Sequence, residues 1–163
     1  MNNRFKTLLI FVISLFFVGC SANVQTNMQL SKVYSSKESI SLFALKNYTD
    51  TPQAGLRASN LLEGILLAHG YAVTNHIQED EKSLDEMRSI AMKENAKYLL
   101  YGGVSEWRYK TGIDGEPAVS LKCVLIEAQT GKVVWSATAS DNAWGNGSIG
   151  TTAQSLIETM LKK

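Results

Sequence analysis

The feature that most constrains the fold is a change of hydrophobic periodicity along the chain. In the first half, two segments with helical spacing of apolar residues, near 54–69 and 84–95, alternate with shorter strand-like segments. In the second half, three consecutive segments carry the alternation or the apolar runs of β-strands: 98–109, 118–127 and 132–140. Early helices followed by a late strand meander are typical of helices packed on a mixed sheet.

Three further segments complete this pattern. Strands are predicted over Ile40–Tyr48 and Tyr71–Thr74, and a closing amphipathic helix begins near Ser148. The predicted order is β-α-β-α-β-β-β-α, which is an α/β fold with a mixed, largely antiparallel sheet flanked by helices. The short turn Gln129–Gly131 joins the last two strands as a hairpin.

The N-terminal segment has the features of a targeting signal. Arg4 and Lys6 precede an apolar run, Leu8–Val18, which ends just before Cys20. A basic start, a short apolar run and a small residue before cysteine are typical of a bacterial lipoprotein signal. We therefore predict that residues 1–19 are a signal peptide and that the Cys20 thiol is lipidated. An ordinary secretory signal with a chance cysteine is the alternative.

After the cysteine the sequence divides into a polar stretch and a domain. Residues 20–38 are rich in Ser, Asn, Gln and Lys, so we predict a lipidated tether. Residues 39–163 are long enough to bury one core and are predicted to form a single α/β domain. Ser21, which is not aspartate, resembles the Gram-negative sorting signal for the outer membrane. We therefore expect a lipid-anchored domain on the periplasmic side.

Charge and cysteine content argue against some classes of function. The whole chain has a net charge of +1, and loss of Arg4 and Lys6 with the signal leaves 14 basic and 15 acidic side chains. Such a balanced chain, without a basic stretch interleaved with aromatics, is not expected to bind nucleic acid. Cys123 lies in an apolar strand pattern and is interpreted as a small buried residue, not as a nucleophile or ligand.

Residue types that carry catalysis do not form recognisable sets. His69 and His76 do not stand at metal-ligand spacing, and His76 is predicted to lie in a loop. No nucleophile elbow, phosphate loop or dinucleotide fingerprint occurs. Asp114 and Glu116 could form a carboxylate pair for glycoside cleavage, although a solvated turn is the favoured interpretation. We therefore predict a protein that is not an enzyme and holds no metal or cofactor.

Acidic and aromatic residues are the remaining candidates for a binding surface. The run Glu79, Asp80 and Glu81 is either a solvated helix entrance or part of an electronegative surface. Trp135 shares a strand face with apolar residues and is predicted to lie in the core. Trp144 lies in a polar, glycine-rich loop, where it packs on the core or contacts a partner or the lipid interface.

Two glycines interrupt the first predicted helix. Gly55 and Gly64 each cost about 1 kcal/mol relative to alanine in a helix interior. Close packing against a sheet or against a neighbouring subunit would offset this cost.

Three segments together resemble the PelC family of outer-membrane lipoproteins. They are NYTDTPQAGLRA at 47–58, EWRYK with the following GIDGEP at 106–117, and VVWSAT at 133–138 with the Trp144 loop. Their order and spacing, together with the cysteine signal, cover nearly the whole chain after residue 19. A broader similarity extends to the CsgG, LpoB and TolB N-terminal-like α/β domains, which implies the same fold class.

The PelC resemblance implies a non-catalytic lipoprotein that forms a periplasmic ring, a dodecamer in that family. It implies a PelB-like outer-membrane porin as partner and the cationic exopolysaccharide Pel as the polymer exported in biofilm formation. An acidic surface would attract such a polymer by long-range electrostatics. The resemblance implies three sets of residues: polymer-facing acids Asp114, Glu116, Glu79, Asp80 and Glu81; subunit contacts Arg57 and Arg108; and membrane or partner contact Trp144.

Two other functions remain open on the sequence. The first is a monomeric, LpoB-like periplasmic lipoprotein that activates a cell-wall synthase. The second is a small hydrolase that uses Asp114 or Glu116. The number of copies in solution and the effect of replacing these two carboxylates distinguish the three functions.

Overall fold

The computed structural model describes residues 22–33, 38–78, 80–111, 115–143 and 147–162. Within them the chain forms one seven-stranded sheet, three α-helices and a short 3-10 helix at Leu30–Lys32. The strands are β1 (Asn23–Thr26), β2 (Ser39–Phe43), β3 (Lys46–Asn47), β4 (Ala72–His76), β5 (Tyr98–Tyr109), β6 (Pro117–Glu127) and β7 (Val133–Asn142). The helices are α1 (Ala54–Ala68), α2 (Leu84–Lys93) and α3 (Ile149–Lys162).

Strand directions make the sheet mixed and largely antiparallel. The strand order is β1-β7-β6-β5-β2-β4, and the short β3 pairs with β5 beside this path. β2 lies parallel to β4 and β5, and α1 and α2 supply the crossovers that parallel strands need. The pairs β5–β6, β6–β7 and β7–β1 are antiparallel. The predicted fold class is confirmed, and the predicted order holds with β1 and β3 added.

Helices cover the two faces of the sheet unequally. α1 and α3 lie on one face and bury the larger core, which includes Leu100 and Trp135. α2 lies on the other face over a smaller cluster that includes Leu99 and Ile126. Leu99 and Leu100 enter different clusters because successive strand residues point to opposite faces. None of the described helices is long and apolar enough to span a bilayer.

The predicted tether is wrong for part of its length. Asn23–Thr26 is an edge strand that pairs antiparallel with Ala137–Ser140 of β7. Leu30 follows in the 3-10 helix and is fully buried. Val24 and Leu30 pack on the larger core, and this removal of apolar area from water stabilises an otherwise polar segment. Among the described residues, sheet structure therefore begins at residue 23, inside the predicted tether.

The helices α1 and α2 begin in different ways. The Ser83–Glu86 capping box that the sequence indicates is present at α2, and hydrogen bonds from the Ser83 hydroxyl and N–H hold the pKa of Glu86 below its usual value. At α1 the N-cap residue is Gln53, with a φ of 59°. Thr51 lies in the turn before it and donates its hydroxyl to the Trp107 carbonyl.

Candidate functional site

A groove opens on the face of the sheet that carries α2. It encloses about 800 Å³. The β2–β3 connection, the residues before α2 and the uncovered parts of β5, β6 and β7 form its walls. The lining includes five charged residues and an exposed tyrosine: Lys46, Asp80, Glu81, Lys82, Lys122 and Tyr48. A concave surface of this size is the first place to expect a binding site.

The groove exists because α2 covers only one end of this sheet face. Beyond the helix, the residues that point to this face are small or polar: Gly103 and Ser105 on β5, Lys122 on β6 and Thr138 on β7. Ser105, Lys122 and Thr138 are exposed. Covering them would remove little apolar area from water, so this part of the sheet is stable without a helix above it.

Tyr48 forms one wall, and Gly103 allows its position. A Cβ atom at Gly103 would lie 2.6 Å from the Tyr48 ring, closer than real contacts permit. Glycine therefore lets the ring lie against the strand backbone, while 65 % of the tyrosine stays exposed. Lys46 Nζ lies 5.7 Å from the ring centroid, within the range of a cation–π contact. This wall of the groove is therefore an aromatic ring that is largely exposed to solvent.

Charges in the groove are mixed. Lys46 and Glu81 form an ion pair, and the hydrogen bond to Glu81 raises the pKa of Lys46. Asp80 is exposed, and Lys82 and Lys122 add two positive charges. The groove therefore has no net negative charge, although Asp80 and Glu81 were predicted as acids that face a cationic polymer.

A polar cluster in the wall of the groove, centred on the lining residue His76, was not predicted. His76 is the last residue of β4 and is buried, so its predicted loop position is wrong. Its ring stacks on Phe43 with centroids 4.7 Å apart, and its Nε2 lies 3.0 Å from Glu94 Oε2. The buried Ser41 hydroxyl donates to the same carboxylate oxygen at 3.2 Å. The serine and the histidine both contact the carboxylate, so the three residues do not form the Ser–His–carboxylate chain of a catalytic triad.

The other described site residues do not line the groove. Glu116 lies 3.7 Å from Lys110 Nζ, and its side chain is only 20 % exposed. Arg108 Nη2 lies 2.9 Å from Glu106 Oε1 on the same strand, and Arg57 is exposed on α1. The structure thus brings Asp80 and Glu81 together but not Glu116. Four predicted site residues lie outside the described residues: Cys20, Glu79, Asp114 and Trp144.

Side chains of the kinds that bind metal ions do not lie together in the part of the chain that the structure describes. There, no three His, Cys, Asp or Glu side chains lie close enough to hold a metal ion.

Cys123 is expected to resist thiol reagents in the folded protein. It is 1 % exposed, as predicted for a small buried residue, and burial raises the pKa of its thiol to about 12. The reactive thiolate is therefore scarce near neutral pH. Alkylation by iodoacetamide, measured by mass spectrometry, should be at least about a hundredfold slower than in the urea-unfolded chain. Rapid labelling of the native protein would contradict this burial.

Solved structures include relatives of this chain. PelC from Paraburkholderia phytofirmans, a dodecamer, is 33 % identical with a TM-score of 0.76, and the match covers 86 % of this chain and 95 % of PelC. A dodecameric variant of that protein gives 34 % identity and a TM-score of 0.75 over 86 % and 96 % of the two chains. The C-terminal domain of LpoB from Salmonella enterica is 17 % identical over 69 % of this chain and 91 % of the domain, with a TM-score of 0.51, and shows the fold alone.

No protein-family model matches this chain, and no curated protein matches it significantly. The relation therefore rests on the structural match, in which sequence identity and fold agree over most of both chains. The resemblance that the three sequence segments indicated is confirmed. This chain belongs to the PelC family.

Proposed function

We propose that this protein is a lipid-anchored, ring-forming component of Pel exopolysaccharide export that acts without catalysis. The observation that carries the proposal is the match to the PelC dodecamer over 86 % of this chain at 33 % identity. Relatives this similar share their fold, and a ring needs two different surface patches on each subunit of that fold. The likeness to LpoB supports the fold alone, so a ring is preferred to a monomeric activator.

The anchor in this proposal is a lipidated Cys20, which holds the domain on the periplasmic side of the outer membrane. β1 begins at Asn23, so at most about 10 Å of extended chain separates the anchor from the sheet. The β1 edge is therefore held beside the lipid headgroups and does not move on a long tether. Trp144 is proposed to contact the membrane or a PelB-like porin.

The acidic residues are proposed to attract the cationic polymer. Two of the predicted acids have partners that reduce their field: Glu81 pairs with Lys46, and Glu116 pairs with Lys110. The attraction acts over about 8 Å at physiological salt and weakens as salt rises. Three acids would then be the main source of the field: Glu79, Asp80 and Asp114.

Arg57 and Arg108 are proposed to contact neighbouring copies. Arg57 is exposed on α1 and has no ion-pair partner among the described residues. Arg108 is paired with Glu106, so a contact at that position would include both charges. Arg57 is therefore the better candidate for a pair that forms only on assembly.

Removal of the acids in the β5–β6 loop tests the proposed funnel. In a strain without its own copy, Asp114→Asn with Glu116→Gln should lower secreted polysaccharide by about fivefold, because the attractive field weakens. Assembly of the full-length chain in mild detergent, measured by sedimentation velocity, should match that of the wild type. Asp85→Asn is the matched control, since Asp85 is an acid on α2 whose side chain is 94 % exposed.

Three results would contradict the proposal in different ways. Normal export by the double variant would remove these acids from the proposed role. A wild-type chain that stays monomeric at high concentration would remove the ring and favour the LpoB-like alternative. A sugar-cleaving activity that disappears in the double variant would indicate an enzyme.

A further inference from the structure

The outer face of α1 has no partner within the described chain. Four residues of α1 have the spacing of a single helix face, on the side opposite the one that packs on the sheet: Arg57, Asn60, Gly64 and Leu67. All four are exposed, and Leu67 adds apolar surface that is 52 % exposed. These four residues form the α1 outer face.

Gly64 lies near the centre of the α1 outer face, and packing within one copy does not explain it. A Cβ atom at Gly55 would lie 2.0 Å from the Leu45 carbonyl oxygen, so that glycine is required by packing. A Cβ atom at Gly64 would have no atom of the described chain within 4 Å apart from the nearby backbone of its own helix. Its cost of about 1 kcal/mol relative to alanine is therefore not offset inside the copy. Close approach of another chain would offset it.

The groove has the features that complement this face. It opens on the side of the sheet opposite α1, and its floor carries the small or polar residues Gly103 and Thr138. Lys122 lies in the groove without an ion-pair partner among the described residues. Glu63, at the border of the α1 outer face, also has no such partner there. Opposite unpaired charges on two surfaces steer them together.

We infer that the α1 outer face of one copy seats in the groove of the next copy, with Gly64 against the sheet and Glu63 near Lys122. The inference rests on the proposed ring and specifies its subunit contact. A helix laid in a groove is a common mode of recognition, with anchors at the spacing seen here.

This arrangement fits a ring of many copies. The two surfaces differ, so the contact is heterologous and continues from copy to copy instead of closing in a pair. They also lie on opposite faces of the sheet, so each copy presents one surface to the copy before it and the other surface to the copy after it. A dodecamer needs a rotation of about 30° at each contact.

Blocking one surface at a time tests the contact. Gly64→Gln adds a side chain at an exposed position of the helix face where a Cβ atom has free space, and Thr138→Trp fills the groove from an exposed strand position. Each full-length variant in mild detergent should assemble at least about tenfold more weakly in sedimentation velocity. Mixed together, the two variants should form a one-to-one pair, because each keeps the surface that the other lacks. Met92→Gln, exposed on α2, is the control and should assemble normally.

Charge reversal gives a second readout. Glu63→Lys alone and Lys122→Glu alone should each weaken assembly, and the combination should restore most of it. Glu63 is partly buried and Lys122 is exposed, and neither has an ion-pair partner among the described residues, so folding should be little affected. Thermal unfolding of each variant checks this.

Specific results would overturn the inference. It is wrong if Gly64→Gln assembles like the wild type, or if the mixed blocked variants stay single. A double reversal that is no better than its single changes would disprove the Glu63–Lys122 contact. In each case a wild-type ring would leave the proposed function intact, whereas a wild-type chain that never assembles would overturn the ring itself.

Discussion

Alanine at Gly55 is expected to lower the free energy of unfolding by about 3 kcal/mol. Its Cβ atom would lie 2.0 Å from the Leu45 carbonyl oxygen and 3.2 Å from the Asn47 nitrogen. Both are backbone atoms, so α1 must move away from the β2–β3 connection. That movement would also strain the buried hydroxyl of Ser59, which donates to the Gly55 carbonyl and accepts from the Leu45 N–H, both at 2.7 Å.

Gly64→Ala is the matched control for this prediction. It is the same chemical change in the same helix, but within the described residues nothing beyond the helix's own nearby backbone lies within 4 Å of the added Cβ. Alanine there should raise the free energy of unfolding by about 1 kcal/mol, because glycine is the poorer helix former. Urea denaturation followed by circular dichroism, at concentrations where the chain is monomeric, measures both. Equal effects of the two changes would contradict the packing of α1 described here.

Trp135→Ala is expected to lower the free energy of unfolding by about 3–5 kcal/mol. The side chain is fully buried between the sheet and the layer of α1 and α3. Leu125 lies opposite it on β6. Removal of the indole leaves a cavity that the surrounding helices and strands fill only in part, so the lost contacts add to the lost burial.

Trp135→Phe separates the volume of the indole from its N–H. Trp135 Nε1 is buried and has no hydrogen-bond partner among the described residues. Phenylalanine keeps most of the ring and removes this unpaired donor, so the loss should be only about 1–2 kcal/mol. Urea denaturation gives both values. A loss for phenylalanine well above about 2 kcal/mol would indicate that the N–H is hydrogen-bonded in the folded protein.

The sequence predicted the elements in which hydrophobic periodicity was strong. The alternation in β6 placed Cys123 on a buried face, and the same argument placed Trp135 in the core; both predictions are confirmed. It predicted less where the signal was short. β1 has only four residues and lies half-exposed at the edge of the sheet. Its single apolar residue, Val24, is too weak a pattern to distinguish a strand from a polar tether. His76 continues the register of β4, which a search for apolar residues does not detect.

The groove was not predictable from any local pattern. Tyr48 and Gly103 are far apart in sequence, and their contact depends on the parallel pairing of β3 with β5. The charges behave likewise: Glu81 reads as part of an acidic run, but in the fold it pairs with Lys46. A run of acidic residues in the sequence gives the formal charge of a segment. The electrostatic field of that segment depends on which opposite charges the fold places beside it.

The amino-acid order by itself determined the fold class, the burial of Trp135 and Cys123, and the family resemblance, because burial along a helix or strand repeats with the period of the element. Only the tertiary structure decided that Gly55 is needed inside one copy while Gly64 is not. It also decided which sheet face is left open. These properties depend on distances between segments that are remote in the chain, and no periodicity within a segment contains those distances.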